Sequence, residues 1–320
     1  MKKIGVITAG GDAPGMNAAI RSVVRTAIFN GLKVVGIERG YAGLIEGKVH
    51  SLYIRSVSGI IDRGGTILKT ARCEEIKTKK GVEKAVHTLK TNKINGLVVI
   101  GGDGSFRGAS ELHKACGIPV VGVPATIDND VAGTDTTIGF DTAVNTALSI
   151  IDRIRDTATS HERVFIVEVM GRKRGFLALT VGFAEGAEVI LVPEIQFNVQ
   201  AISEKLKNGR RMGKTSEIIV MAEGAGDSSL IRDEIRKQTG YDVRLTVLGH
   251  ALRGGPPTAN SRVLANQFGA YAVDLLLKGV TKTMVGIKGQ RLVSNNLDHA
   301  WKKTKDLDMH LYHLAEILSS

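Results

Sequence analysis

The chain has 320 residues, 43% hydrophobic and 23% charged, with a formal net charge of +11. That is long for one hydrophobic core, so two domains are expected. No run reaches the ~18 apolar residues of a membrane span. With 4% aromatics and no compact Lys/Arg run, the basic balance favours small phosphorylated ligands over nucleic acid. The two cysteines, Cys73 and Cys116, form no metal-type pair, which suits a reducing compartment. The first apolar run is short and stops at Gly10, so a cytoplasmic protein without a secretory signal is expected.

Ile4–Ala9 is a continuous apolar run of strand length, read as a buried parallel strand. Gly10-Gly11-Asp12-Ala13-Pro14-Gly15 breaks it, and a helix from about Asn17 to Asn30 follows. A strand, a glycine turn and a helix in that order place backbone N–H groups where an anion can sit. Val34–Ile37 is the next strand. Gly40–Arg72 reads as irregular, rich in Gly and Arg, and includes Arg63-Gly64-Gly65-Thr66. A helix at about Val82–Asn92 leads into one βαβ unit: strand Leu97–Ile100, helix Phe106–Cys116, strand Val120–Val123.

Both strands of that unit end in acidic turns, Gly101-Gly102-Asp103-Gly104-Ser105 and Thr126-Ile127-Asp128-Asn129-Asp130. Ligands of open α/β sheets bind outside the carboxyl ends of the strands, so Asp103 and Asp128 are expected at one cleft. A helix at about Thr142–Thr157, with Asp141 and Thr142 as caps, follows. A second alternation places strands at Val164–Val169, Val189–Val192, Ile218–Ala222 and Val243–Val247. Helices fill the gaps at about Phe176–Ala184, Val199–Asn208 and Ser229–Gln238. A long helix at about Ala259–Lys278, a strand pair near Met284–Leu292 and a C-terminal helix complete the chain. The pattern gives two doubly wound α/β domains of similar size with mainly parallel sheets, facing each other.

Phosphoryl transfer needs a phosphate cradle, a metal, positive charge and a base for the nucleophile. The glycines of Gly101–Ser105 permit close approach to a triphosphate, and Asp103 can hold Mg²⁺. Thr126–Asp130 offers two carboxylates, one to act as base and one to orient it or reach the metal. Arg72, Arg163, Arg172, Arg244 and Arg253 all lie near strand ends or glycine turns, where Arg suits bidentate phosphate recognition. Gly209–Thr215 (GRRMGKT) imitates a Walker A loop but is one residue short between its glycines and leaves a helix to enter a strand.

These motifs together resemble bacterial ATP-dependent 6-phosphofructokinases from Ile4 to about Leu314. The segments that carry the resemblance are TAGGDAPGMNAAIR at Thr8–Arg21, RGGT, GGDGS, TIDND, DTATSHER at Asp156–Arg163, VMGR at Val169–Arg172 and VLGHALRGG at Val247–Gly255. The resemblance implies transfer of the γ-phosphate of ATP to the 1-hydroxyl of fructose 6-phosphate, in a cleft between the domains. It implies an ATP-binding domain of 1–138 plus about 252–305, and a sugar phosphate domain of 139–251 plus about 306–320. Gly11, Arg72, Cys73, Gly102, Asp103, Gly104 and Ser105 match ATP contacts, with Asp103 on Mg²⁺. Thr126, Asp128, Asp130, Met170, Gly171, Arg172, Glu223, His250 and Arg253 match the fructose 6-phosphate site. Asp128 matches the base, and Arg72, Arg172 and Thr126 share its catalytic role. Arg163 and Arg244 match residues that reach the sugar phosphate of a neighbouring subunit in a homotetramer. Arg21, Arg25, Arg55, Arg155, Gly186, Glu188 and Lys214 match an effector pocket for ADP or phosphoenolpyruvate.

Pyrophosphate-dependent relatives carry Asp where this chain has Gly104 and Lys where it has Ala125, so Gly104 points to ATP as donor. Phe176, Glu185, Met212, Leu252, Pro256 and Ser261 depart from the family pattern, mostly near the effector loop and the substrate turn. Three other readings compete: a pyrophosphate-dependent phosphofructokinase, a kinase with another acceptor and the same GGDG turn, and a sugar-phosphate-binding regulator without activity.

Overall fold

Short apolar runs closed by glycine or charge form the strands, as expected where a parallel sheet is covered on both faces. The computed structural model describes residues 1–319, and the chain divides into two units. One comprises 1–142 and 253–305; the other comprises 143–252 and the residues from 306 onward.

The first unit opens with β1 (Lys3–Thr8), α1 (Met16–Phe29), β2 (Lys33–Ile37), α2 (Gly40–Glu46) and β3 (Val49–Leu52). It continues with α3 (Lys79–Thr91), β4 (Gly96–Gly101), α4 (Asp103–Cys116), β5 (Val120–Thr126) and β6 (Ile138–Gly139). The unit boundary falls within α5 (Phe140–His161). The second unit holds β7 (Val164–Val169), α6 (Phe176–Glu185), β8 (Val189–Leu191), α7 (Val199–Arg211), β9 (Glu217–Ala222), α8 (Ser228–Thr239) and β10 (Val243–Val247). The first unit then resumes with α9 (Ala259–Leu277), β11 (Thr283–Lys288), β12 (Arg291–Asn296) and α10 (His299–Lys302), and α11 (Met309–Leu318) belongs to the second.

The larger sheet runs β12-β11-β5-β4-β1-β2-β3, with β6 paired to β5. Its centre is parallel, and β3 and β12 are antiparallel strands at its two edges. From β1 the chain goes to β2 on one side and later to β4 on the other. The space outside the carboxyl ends of β1 and β4 is therefore a topological switch point, where open α/β sheets take their ligands. The smaller sheet is wholly parallel, in the order β10-β7-β9-β8. Each sheet has its own core. Leu97, Val99, Phe106 and Leu112 are buried in the first unit, and Ile166, Ile219, Met221 and Ile235 in the second.

Three expectations change. The sheets are unequal, eight strands against four, rather than two domains of similar size. Gly40–Arg72 is partly ordered into α2 and β3, the latter because all four of its residues pair antiparallel along β2. Asp141 and Thr142 do not cap α5, which starts at Phe140. Asp141 instead accepts from the Thr258 hydroxyl, and Thr142 Oγ1 donates to Ser261 Oγ at 2.8 Å, so both brace the start of α9.

Candidate active site

The turn after β1 is shaped by Gly10 and Gly15, whose φ values of 88° and 106° lie where a side chain strains the backbone. Arg253 closes over this turn. Its Nη1 donates to the Asp12 carbonyl at 3.0 Å, and a Cβ added at Gly11 would lie 2.5 Å from that nitrogen. Residues 63–70 are pinned to the same edge. Asn17, 1% exposed, donates to the carbonyls of Arg63 and Gly64 and accepts from Ile67 N–H at 2.7 Å. Thr70 Oγ1 donates to the Gly10 carbonyl at 2.8 Å. Arg72, two residues on, is exposed, and Cys73 is half-buried.

The turn after β4 passes directly into α4. The first N–H groups of a helix lack partners within it, and the N-cap here is Gly102, which supplies no side-chain cap. A Cβ added at Gly102 or Gly104 would meet no heavy atom within 4 Å. A helix start left in this way suits phosphate oxygens. Asp103 is exposed at its mouth, with Arg107 Nη2 at 3.8 Å one turn along. Ser105 is buried, and its hydroxyl donates to the Ala9 carbonyl at 2.8 Å. Its side chain therefore joins the two glycine turns rather than facing outward.

β4 and β5 are parallel neighbours, with Gly101 opposite Pro124, so the second acidic turn emerges beside the first. β5 continues to Thr126, three residues beyond the predicted end. Thr126 Oγ1 accepts from Asp128 N–H at 3.2 Å, and the Thr126 carbonyl accepts from the Thr137 hydroxyl at 2.6 Å. Asn129 sits at φ 52°, a left-handed conformation that Asn tolerates. Asp128 and Asp130 are half-buried. Burial, and then the charges of Asp128 and Asp103, push the Asp130 carboxyl up to about 6. Ala125, 1% exposed, lies in the sheet opposite Ile138.

In the second unit, Met170, Gly171, Arg172, Glu223 and His250 follow the carboxyl ends of β7, β9 and β10, whereas Arg163 and Arg244 lie at the amino ends of β7 and β10. Gly171 has φ 144°, and Gly224 packs so closely that a Cβ there would lie 2.0 Å from the Arg172 carbonyl. This brings Met170-Gly171-Arg172 against Glu223-Gly224. His250 is exposed in a short 3₁₀ turn, Gly249–Arg253. Arg163 and Arg244 are joined by Asp242: Arg163 Nε donates to it at 2.7 Å and Arg244 Nε lies 2.9 Å away. These hydrogen bonds, Arg163 first, hold the Asp242 carboxyl below its usual range. The sequence reading missed Asp242, Asn17 and Arg253's place beside Gly11. Only Asp242 left a signal, an acidic residue two positions before Arg244 at a strand start.

The expected effector residues divide between the units. Arg21, Arg25 and Arg55 belong to the first, and Arg155, Gly186, Glu188 and Lys214 to the second. Glu188 and Lys214 line one pocket of about 370 Å³, together with Met212 and Lys205. Arg155 is taken up by Glu185, with Nε donating to Oε1 at 2.9 Å and Nη2 to the main-chain carbonyl at 2.7 Å. Lys214 Nζ donates to the Ser319 carbonyl at 2.8 Å. The Gly209–Thr215 segment begins within α7 and leads into β9, the reverse of a phosphate-binding loop.

No set of three or more His, Cys, Asp or Glu side chains could hold a metal among the described residues. A single exposed Asp103 at an uncapped helix start fits Mg²⁺ brought with a nucleotide, since Mg²⁺ uses one or two carboxylates plus phosphate oxygens. Among the described residues, no helix is long and apolar enough to cross a membrane.

A family model described as phosphofructokinase matches residues 3–276. An ATP-dependent 6-phosphofructokinase of Halothermothrix orenii is 55% identical, with 100% of each chain covered. The crystal structure of Pichia pastoris phosphofructokinase superposes with a TM-score of 0.91 at 35% identity, over 99% of this chain and 37% of that one. A pyrophosphate-dependent phosphofructokinase from Marinobacter aquaeolei has the same fold: TM-score 0.87, 24% identity, 97% of this chain and 86% of that one.

Proposed function

The chain belongs to the phosphofructokinase family, and we propose that it acts as an ATP-dependent 6-phosphofructokinase. It moves the γ-phosphate of ATP to the 1-hydroxyl of fructose 6-phosphate, giving fructose 1,6-bisphosphate and ADP. The observation that carries this reading is the pair of acidic turns on neighbouring parallel strands β4 and β5, one glycine-lined and uncapped, the other rigidly hydrogen-bonded.

The glycine turns at Gly11 and Gly102–Gly104 bind the nucleotide, with Arg72 and Cys73 beside them. When bound, Mg²⁺ held by Asp103 would offset charge on the phosphates. Asp128 accepts the proton of the sugar 1-hydroxyl as that oxygen attacks phosphorus. Thr126 orients Asp128 through its N–H. Arg72, Arg172 and the Gly11 N–H stabilise charge on the moving phosphoryl group. Asp130, Met170, Gly171, Glu223, His250 and Arg253 position the sugar. Arg163 and Arg244, aligned by Asp242, serve the sugar phosphate of a neighbouring subunit in a homotetramer. Arg21, Arg25, Arg55, Arg155, Gly186, Glu188 and Lys214 form an effector site for ADP or phosphoenolpyruvate. The enzyme works in the cytoplasm.

Pyrophosphate is the competing donor. Gly104 favours ATP, because the space beside it is unfilled and an aspartate there would occupy it. Measuring fructose 1,6-bisphosphate formation with each donor decides between them. Turnover with ATP and none with pyrophosphate is expected; turnover with pyrophosphate alone would overturn the reading.

A further inference from the structure

One half-buried lysine has no part in the roles above. Lys305 lies three residues beyond α10, at the end of the first unit. Its Nζ donates to the Asp135 carbonyl at 2.8 Å. The same carbonyl accepts from Asn129 Nδ2 at 3.3 Å. One main-chain oxygen therefore joins Lys305 to the residue beside Asp128.

Asn129 is the left-handed residue of the acidic turn. A conformation of that kind persists where its surroundings hold it. Asn129 Oδ1 also accepts from the Thr137 hydroxyl at 3.4 Å, and that hydroxyl donates to the Thr126 carbonyl. Asp135 is itself fixed to the hairpin of β11 and β12. Its N–H donates to the Ile287 carbonyl at 2.9 Å, and its Oδ2 accepts from Gly289 N–H at 2.7 Å. Lys305 thus ties the hairpin and the chain after α10 to the loop that carries Asp128.

The charge of Lys305 matters as well as its hydrogen bond. Burial pushes its ammonium down to about 8, against the pull of Asp135 and Asp130. Keeping a cation in such a place costs free energy unless nearby negative charge offsets it. Asp130, crowded by Asp128 and Asp103, is a carboxylate that Lys305 steadies in its ionised form.

We propose that Lys305 is a positioning residue for phosphoryl transfer: through the Asp135 carbonyl and Asn129 it holds the Asp128 turn, and its ammonium offsets the carboxylate charge gathered there. The proposal rests on Asp128 as the base.

Steady-state kinetics of the intact enzyme with ATP and fructose 6-phosphate test it. Lys305→Met is expected to lower kcat about 10- to 100-fold, the scale of a displaced catalytic group, with KM for ATP within about twofold. Lys305→Arg, which keeps donor and charge, is expected to return kcat to within about threefold of the unaltered enzyme. Lys305→Gln, a donor without charge, should fall between them. A Lys305→Met enzyme with kcat within about twofold of the parent overturns the proposal, as does equal loss in the Met and Arg variants. If Lys305→Met does not fold, the Gln and Arg pair makes the same distinction, equal activities overturning it. Failure of the underlying reading is separable: an Asp128→Asn enzyme with near-normal kcat removes Asp128 as base. A collapsed Asp128→Asn beside a fully active Lys305→Met removes only the role of Lys305.

Discussion

The glycine turns of the first unit and the cationic group of the second treat charge in opposite ways. Around Gly11 and Gly102–Gly104, the backbone is bent by glycine, the helix start has no side-chain cap, and Asp103 and Arg72 are exposed. Around Arg155 and Lys214, cations already face groups of their own chain: Glu185 takes Arg155, and the Ser319 carbonyl takes Lys214. The first arrangement leaves backbone N–H groups open to an anion. In the second, a phosphate could reach these cations only by displacing hydrogen bonds they already make.

The largest effect is expected at the base. Asp128→Asn should lower kcat about 10²–10⁴-fold, the usual range for a positioned base. Initial-rate measurement with saturating ATP and fructose 6-phosphate checks this, and a near-normal kcat would take chemistry away from the first unit's turns. Next come Arg163→Ala and Arg244→Ala. Each is proposed to make a charge-assisted contact to the sugar phosphate, so its loss should raise KM for fructose 6-phosphate about 10- to 100-fold with kcat little changed. An unchanged KM in both variants would end the neighbouring-subunit role assigned to them.

Asp130 gives a pH-dependent test. Its carboxyl titrates near 6 in the folded chain, above its ordinary value of 3.8. The folded protein therefore holds the proton more tightly, and the penalty for burying the ionised group is fully present above pH 6. It is relieved as pH falls through 6 toward 4, and amounts to on the order of 2–3 kcal/mol. Thermal melts should show Asp130→Asn raising Tm by roughly 5 °C at pH 8 and hardly at all at pH 4. Equal shifts at both would mean that Asp130 is not held at that cost.

The smallest effect is expected at the second region. Glu185→Gly removes an ion pair in which Arg155 is 33% exposed and Glu185 only 6%, while the main-chain hydrogen bond to Arg155 remains, a loss of about 1 kcal/mol. It should lower the half-saturating effector concentration about 3- to 5-fold for ADP or phosphoenolpyruvate. An unaltered response would show that the Arg155–Glu185 pair does not compete with effector.

Much of this was readable from the residues alone. The apolar runs that became β1, β4, β5 and β7 are fully buried parallel strands, and such strands leave a continuous signal. Their glycine and acidic endings placed Asp103 and Asp128 at one sheet edge before any coordinates. Gly40–Arg72 was not legible, because a short α2 and an edge strand, β3, draw their stability from β2 rather than from their own pattern. Asp141 and Thr142 were misread for a related reason: Ser, Thr and Asp near a helix start suggest caps, yet here the side chains reach Thr258 and Ser261, over a hundred residues away. Asn17 and Lys305 act through long-range hydrogen bonds of the same kind, which no local spacing reveals, and Asp242 left only its place two residues before Arg244.

Hydrogen exchange of the intact protein with Mg²⁺ and a non-hydrolysable ATP analogue asks most directly where the nucleotide sits. Protection is expected at the amides of Gly10–Gly15 and Gly101–Phe106, the two turns beside the switch point of the larger sheet. Protection confined to the Gly209–Thr215 segment, with those turns unaffected, would contradict the assignment of phosphoryl transfer to the first unit's turns.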